Sequence, residues 1–415
     1  MNKALVKLCS CFIFNKQKRR EFRARHKADH KPQSIHDMYG PMLKNINDNL
    51  NFIKNQELLA PLVKEEVGNK KTVLILEPNG CHSILLPSIS YYFLSLGYNV
   101  HVATSSQNVA LEPFCNCNFP KDRFKCFVIN VSNVFYSLFI DILLKYDYIF
   151  LTTPMYGTSC NVLDHLLKEY VTACHKNNLL YLEHHLNRFA EHPELERFID
   201  SHRVFMLNEF SLKNKKINEL YLTYIGKIQQ QPKNKETTFI SVGRQEPNVK
   251  DLLSMYDACR TLLNENYKNF HIILVGKVSE SFFIPEDLKE YITITGPLSY
   301  PKMILELERS DFLLYLLNSQ NKAHRRYKDE CVSGSVALMY GANKPAIIEE
   351  EFASSYSLNN TNAIVYEENE LWEGMKKAIL MSSEQYKKLQ RNLLHLKEVK
   401  EKNTIKYIEE ALNVK

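Results

Sequence analysis

The residues best suited to do chemistry cluster in KDECVSGSVALMYGANKPAII, residues 328–348. Ser333-Gly334-Ser335 opens an apolar segment carrying Val336, Ala337, Met339 and Tyr340, expected to end at Gly341. Asn343-Lys344-Pro345 then turns into the strand Ala346-Ile347-Ile348. A turn of small residues at a helix start leaves backbone N–H groups free at the positive end of the dipole, and together these hold a phosphate. The pattern reads as a diphosphate site, although serine also caps helices for purely structural reasons. His82, in the run Glu77-Pro78-Asn79-Gly80-Cys81-His82, carries an imidazole that titrates near neutral pH and is suited to position or deprotonate a hydroxyl. Glu183-His184-His185 offers metal-ligand side chains, but neighbours along a strand point to opposite faces, so no metal site is expected.

Strands and helices must carry these groups. TVLILE (72–77) reads as a strand, followed by a Pro78-Asn79-Gly80 turn and a helix over 83–96 that stops at Gly97. Further strands are expected at 99–104, 125–130, 148–153, 179–184 and 203–207, with helical patterns between most of them. The polar run QQQPKNKETT (229–238) reads as a linker. Beyond it a second series has strands at 239–244, 271–276, 291–296, 311–317 and 345–349, and helices over 249–265 and from Pro301. Strands alternating with helices argue for parallel sheets covered on both faces, and two such units leave a cleft in which ligands bind at strand carboxyl ends. No G-x-G-x-x-G follows the first strand, so a dinucleotide is not signalled. The ten cysteines are scattered with no C-x-x-C pair, which reads as reduced thiols in a cytosolic protein.

The 328–348 stretch resembles the donor-binding region of GT-B fold glycosyltransferases, above all bacterial family-4-like enzymes that build lipopolysaccharide and capsule. In that family one Glu precedes the helix, a second follows eight positions later, and a Gly-Lys-Pro turn comes after. Glu330 matches the first, Asn343-Lys344-Pro345 matches the turn, and Leu338 stands where the second Glu would be. The resemblance implies that Glu330 touches the donor sugar, while Leu338 removes the usual ribose contact. SVGR (241–244) with downstream Lys250 resembles the pattern in which an Arg and a Lys neutralise the donor diphosphate, at a spacing one residue longer than usual. Two cations there favour departure of a nucleoside diphosphate, which gains negative charge as the glycosidic bond breaks. ILEPNGCHSILLP (75–87) is similar to an acceptor-side loop, which assigns Asn79, Gly80 and His82, with Glu183 and His184, to the acceptor side. Arg325 and Arg326, in NKAHRRYKDE, read as a solvated loop. No Asp-x-Asp occurs, which argues against dependence on a metal-bound nucleotide sugar.

The expected fold is α/β, a GT-B pair of Rossmann-like parallel-sheet domains facing a cleft. The division is a basic amphipathic segment at 1–31, a helical lead-in at 32–70, an acceptor domain at 71–228, a nucleotide-sugar domain at 239–385 and a helical tail at 386–415 that crosses back to the first domain. Residues 1–31 hold ten Lys/Arg against Glu21 and Asp29, a net +8 that leaves −2 elsewhere in a chain of net +6. Leu5, Leu8, Cys9, Phe12 and Ile13 form the stripe of an amphipathic helix, too short to span a bilayer and suited to an anionic membrane surface. Nucleic acid is not expected as a partner, because the basic run lacks interleaved aromatics. The implied activity is retaining, metal-independent transfer from a nucleotide sugar, a substrate rather than a cofactor, to a bacterial surface glycan or glycolipid acceptor. Its expected place is the cytoplasmic face of the inner membrane. The alternatives are a non-catalytic GT-B subunit scaffolding a partner transferase, or a nucleotide-sugar epimerase or hydrolase on the same fold.

Overall fold

The computed structural model describes residues 57–67, 70–135, 137–154, 162–171, 178–280 and 282–413; the basic segment expected over 1–31 lies outside them. Strands Thr72–Glu77 (β1), Asn99–Thr104 (β2), Phe124–Val128 (β3), Tyr148–Leu151 (β4), Leu179–Glu183 (β5), Val204–Met206 (β6) and Asn218–Glu219 (β7) form a parallel sheet in the order β3-β2-β1-β4-β5-β6-β7. The second sheet, also parallel, holds Thr237–Val242 (β8), Phe270–Val275 (β9), Ile292–Gly296 (β10), Phe312–Leu314 (β11), Ala346–Glu349 (β12) and Ile364–Tyr366 (β13), ordered β10-β9-β8-β11-β12-β13. These are the two Rossmann-like halves of the GT-B layout. In each, the order reverses at the first strand, between β1 and β4 and between β8 and β11. Helices leave such a switch point on opposite faces, so a crevice opens at the strand carboxyl ends. Every residue of β1 is buried, as a central strand covered on both faces requires.

Helix ends follow local chemistry. Helix α1 (Leu85–Ser95) stops at Gly97, whose φ of +89° suits glycine. The Gly97 and Tyr98 N–H groups close back on the Leu94 and Phe93 carbonyls, and the Tyr98 ring packs on Phe93, a Schellman end with its apolar contact. Helix α2 (Leu252–Asn264) is capped by the Asp251 side chain, which accepts from the Ser254 N–H. NKAHRRYKDE is not the loop its charge suggests. It forms helix α3 (Lys322–Asp329), with Asn321 as cap and His324 buried, while Arg325 and Arg326 face solvent. Nor does helix α4 (Ser335–Ala342) end at Gly341. It runs on to Asn343, which takes the left-handed conformation and closes it. Gly341 is there for packing, since a Cβ would meet the Tyr224 carbonyl oxygen at 2.6 Å.

From Leu58 onward the chain is one unit. A single apolar cluster runs from Val73 and Phe150 in the first sheet through Leu220–Tyr224 to Val336 and Ile348 in the second half, and on to Leu393 and Ile408 of helix α5 (Ser383–Asn413). Helix α5 also reaches the first half by polar contacts. Its Thr404 hydroxyl accepts from the Tyr221 N–H, and the Tyr148 hydroxyl donates to the Leu412 carbonyl. Lys400 is buried against Glu219 at 2.9 Å, with Glu209 at 3.3 Å. Burial raises the Glu219 pKa despite the opposing pull of Lys400.

Removing one member of a buried pair leaves an uncompensated charge, which costs about 3–5 kcal/mol, whereas removing both costs little. Lys400→Met should therefore lower the urea midpoint sharply, and Glu219→Gln combined with Lys400→Met should restore most of the loss. Equal midpoints for the single and double variants would show that the pair carries no such weight.

Candidate functional site

In the second half, the switch point lies between the ends of β8 and β11. The chain leaves β8 through Gly243, at φ +121°, and the Gln245 N–H then bonds the Lys277 carbonyl. Only glycine fits at 276, because a Cβ there would stand 1.8 Å from the Gly243 carbonyl oxygen. This close pairing of backbones sets the turn that carries Arg244, which is exposed and makes no ion pair among the described residues. Beneath the turn lies Lys250, with its Cε 3.9 Å from where a Gly243 Cβ would stand. It is only 2% exposed, its Nζ donates to the Tyr315 carbonyl at 3.1 Å, and no carboxylate pairs with it among the described residues. Burial pushes its pKa down to about 8. A cavity of about 220 Å³, lined in part by Pro247, Tyr256 and Phe282, opens beside it.

Neighbouring groups fix the loop around Lys250. The Asp251 carboxylate accepts from the Asn318 amide at 2.6 Å, and the Asp251 N–H bonds the Leu316 carbonyl. His324 accepts the Asn318 N–H at Nδ1 and donates from Nε2 to the Pro247 carbonyl. Tyr315 connects Lys250 to the helix start. Its side chain lies beside Ser335, and its ring packs 5.3 Å from Tyr356, whose hydroxyl accepts from the Ser333 N–H. Ser333 and Ser335 share a hydroxyl contact at 2.8 Å, and space beside Gly334 is open. Tyr315 thus touches Lys250 with its carbonyl and Ser335 with its side chain. Leu338 is buried in the core, so that position presents no carboxylate. At the end of β12, Glu349 is buried and accepts the Ser319 N–H.

The first half's switch point, between β1 and β4, holds a buried carboxylate. Glu77 is fully buried; its Oε2 accepts from the Thr152 and Thr153 hydroxyls at 2.5 and 2.6 Å, and its Oε1 from the Asn79 N–H. Burial raises its pKa to about 7, against those hydrogen bonds. Ser105 and Asn108 hold the Asn79 carbonyl, which anchors the loop through exposed Gly80 to His82. The His82 Nδ1 meets the Thr153 hydroxyl at 3.0 Å, and its ring stacks on His184 at 4.2 Å. His184 is itself held by a 2.7 Å bond from Nε2 to the Thr152 carbonyl, and burial depresses its pKa to about 3. Glu183 is buried, and its carboxylate accepts the His184 and His185 N–H groups.

These two clusters meet at Glu330. The Leu186 N–H, just past β5, donates to the Glu330 carbonyl at 3.0 Å, and His185 feels the charges of Glu330 and Arg326. Glu330 itself is half-buried at the end of α3. Among the described residues Arg244 is joined to the others only through the turn above Lys250. Among the described residues no group of three His, Cys, Asp or Glu could hold a metal. Sequence reading gave no role to Thr152, Thr153, Asp251, Asn318 and His324, and named Glu77 only as the first residue of the run to His82. An Asp directly before the apolar run from Leu252 is the signal that could have found Asp251.

No protein-family model and no curated protein sequence matches the chain. Solved structures similar to it include WaaG, a glycosyltransferase involved in lipopolysaccharide biosynthesis: 15% identical, covering 82% of this chain and 99% of that one, TM-score 0.44. HepE of Anabaena, in complex with UDP-glucose, is 12% identical over 81% and 98% of the two chains, TM-score 0.48. A UDP-N-acetylglucosamine 2-epimerase is 13% identical over 78% and 91%, TM-score 0.46.

Because the pKa of Lys250 is lower folded than unfolded, the unfolded chain binds more protons between about pH 8 and 10.5. Its burial therefore opposes folding at neutral pH, and the opposition fades as pH rises through that window. Lys250→Met should be more stable than the wild type at pH 7, by on the order of 2–3 kcal/mol, with the gap closing toward pH 10. Denaturant titrations at pH 7 and pH 10 read both numbers.

Proposed function

We propose that the protein transfers a glycosyl group from a nucleotide-sugar donor to a hydroxyl acceptor. The observation that carries this reading is Lys250, a buried ammonium with a lone carbonyl partner at the switch point of its sheet. A cation held in that way is matched to an anion that arrives with the ligand. Tyr315, whose carbonyl takes the Lys250 ammonium and whose side chain lies beside Ser335, supports a shared site with the start of α4, where first-turn N–H groups and the helix dipole favour a phosphate. Arg244, free of ion pairs among the described residues, completes a set of donors for a diphosphate. As the bond from anomeric carbon to phosphate breaks, charge builds on the leaving diphosphate, and Arg244, Lys250 and the helix start stabilise it. Glu330 hydrogen-bonds donor-sugar hydroxyls, and the acceptor enters past Asn79, Gly80, His82 and His184. The reaction runs without a metal and, following the family resemblance, with retention of anomeric configuration. The acceptor is a bacterial surface glycan or its lipid-linked precursor, at the cytoplasmic face of the inner membrane. If the protein were instead an epimerase or hydrolase, the donor would turn over with no acceptor present.

Calorimetry with nucleoside diphosphates tests the donor site. Arg244→Ala should weaken binding by about 1.5–3 kcal/mol, the scale of a hydrogen bond to a charged group. Glu330→Gln should leave that binding nearly intact while depressing sugar transfer. Unchanged affinity in Arg244→Ala together with full transfer by Glu330→Gln would refute the assignment.

Residues 1–31 support the membrane part of the reading by charge and apolar stripe, at about 1 kcal/mol per Lys or Arg near an anionic surface. Deleting them should abolish binding to vesicles containing phosphatidylserine and leave soluble-acceptor transfer in place. Sedimentation in low and high salt reads the electrostatic share, and a truncated protein that still pellets with vesicles would end this part of the proposal.

A further inference from the structure

We propose that Glu77 and Thr153 are positioning residues that hold His82 in a single tautomer, its Nε2 kept free to accept a hydrogen bond from the acceptor hydroxyl. This rests on the transfer reading above. The argument is one of proton counting. A threonine hydroxyl has one proton, and Thr153 gives it to Glu77 Oε2 at 2.6 Å. What Thr153 then offers His82 Nδ1, 3.0 Å away, is a lone pair, so Nδ1 carries the hydrogen. In a neutral imidazole that leaves Nε2 unprotonated. Among the described residues Nε2 has no protein partner, and His82 is exposed. The ring cannot swing freely, because it stacks on His184 at 4.2 Å with 17° between planes, and His184 is bonded to the Thr152 carbonyl. The His82 backbone has φ +61°, a conformation non-glycine residues seldom adopt unless their surroundings impose it. Its carbonyl accepts the Leu85 N–H at the start of α1, so the residue is fixed at both ends.

The same chain of bonds responds to pH. With its pKa raised to about 7, Glu77 takes up a proton just below neutrality and becomes a donor. The Thr153 hydroxyl is then released to donate to Nδ1, and the His82 proton moves to Nε2, which can no longer accept. Among the groups around the relay, Cys81 and His184 keep their charge state across this range, since burial raises the thiol to about 11 and depresses the imidazole to about 3. Burial also lowers His185 and His82 from the ordinary histidine value, which favours their neutral forms. The acceptor-dependent rate should therefore rise with pH through about 7, following Glu77.

Protein labelled with ¹⁵N-histidine reports the tautomer directly, with His82→Gln identifying the signal. The wild type at pH 8.5 should show hydrogen on Nδ1 and shift toward Nε2 by pH 6. Thr153→Val should lose the Nδ1 preference, Thr153→Ser should keep it, and Glu77→Gln, whose amide donates at every pH, should hold the proton on Nε2. In transfer assays Thr153→Val should raise the acceptor KM about tenfold, the loss of one hydrogen bond, with nucleoside diphosphate affinity unchanged. A wild-type His82 carrying its proton on Nε2 at pH 8.5, or a Thr153→Val protein with the wild-type tautomer, would overturn the relay. A wild type that binds no nucleoside diphosphate would sink the transfer reading, whereas the tautomer decides the relay in either case.

Discussion

Each sheet buries one unmatched charge where its strand order reverses, Glu77 in the first half and Lys250 in the second. Neither has an oppositely charged partner among the described residues; hydroxyls and backbone groups hold Glu77, and one carbonyl holds Lys250. Desolvation dominates both pKa values, up for the carboxyl and down for the ammonium. Such groups weaken the folded state, so the surrounding structure must over-determine their positions. Much of the local architecture does so. Asn79, Thr152 and Thr153 surround Glu77, and the Gly243–Gly276 contact, Asp251, Asn318 and His324 brace the turn that covers Lys250. Both charges lie near switch points, the regions where parallel sheets take their ligands.

The two charges also belong to one pathway of contacts. From Glu77 it runs through Thr153 to His82, by electrostatic influence to His185, and across the Leu186–Glu330 bond to the loop before Ser333. From there Tyr356 and Tyr315 lead back to Lys250. The proposed site draws on both halves and so needs them held in register. The shared apolar cluster through Leu220–Tyr224 and helix α5 does that.

The alternation of strands and helices was legible because each strand is a short apolar run bounded by turn residues. Gly97 could be read as a helix stop, for its neighbours satisfy the local hydrogen-bond pattern. Gly341 misled, because its reason is a close approach to Tyr224, more than a hundred residues away in sequence. Charge density misled at NKAHRRYKDE, where an Asn321 cap and the buried His324 outweigh the solvation of two arginines. Four short strands, Ser211–Leu212, Lys215–Lys216, Asn218–Glu219 and Ile364–Tyr366, escaped notice because they are too brief to show a period. In the site, Lys250 and Ser333 were visible as motif residues, but burial is a property of the fold, and nothing in KDLLS marks that lysine as desolvated. Thr153 acquires its meaning only from Glu77, which lies 76 residues earlier.

The position of helix α5 has a consequence for the order in which the protein is made. Residues 383–413 leave the ribosome after both sheets, yet they supply Lys400 to Glu219 and Leu412 to Tyr148 in the half that was synthesised first. Until they arrive, a buried carboxylate lacks its cation and an apolar face stays open, which is the kind of surface chaperones hold and proteases find. A chain that stops before α5 therefore exposes two features that the folded protein hides, the unpaired Glu219 carboxylate and the apolar face that Leu393 and Ile408 cover.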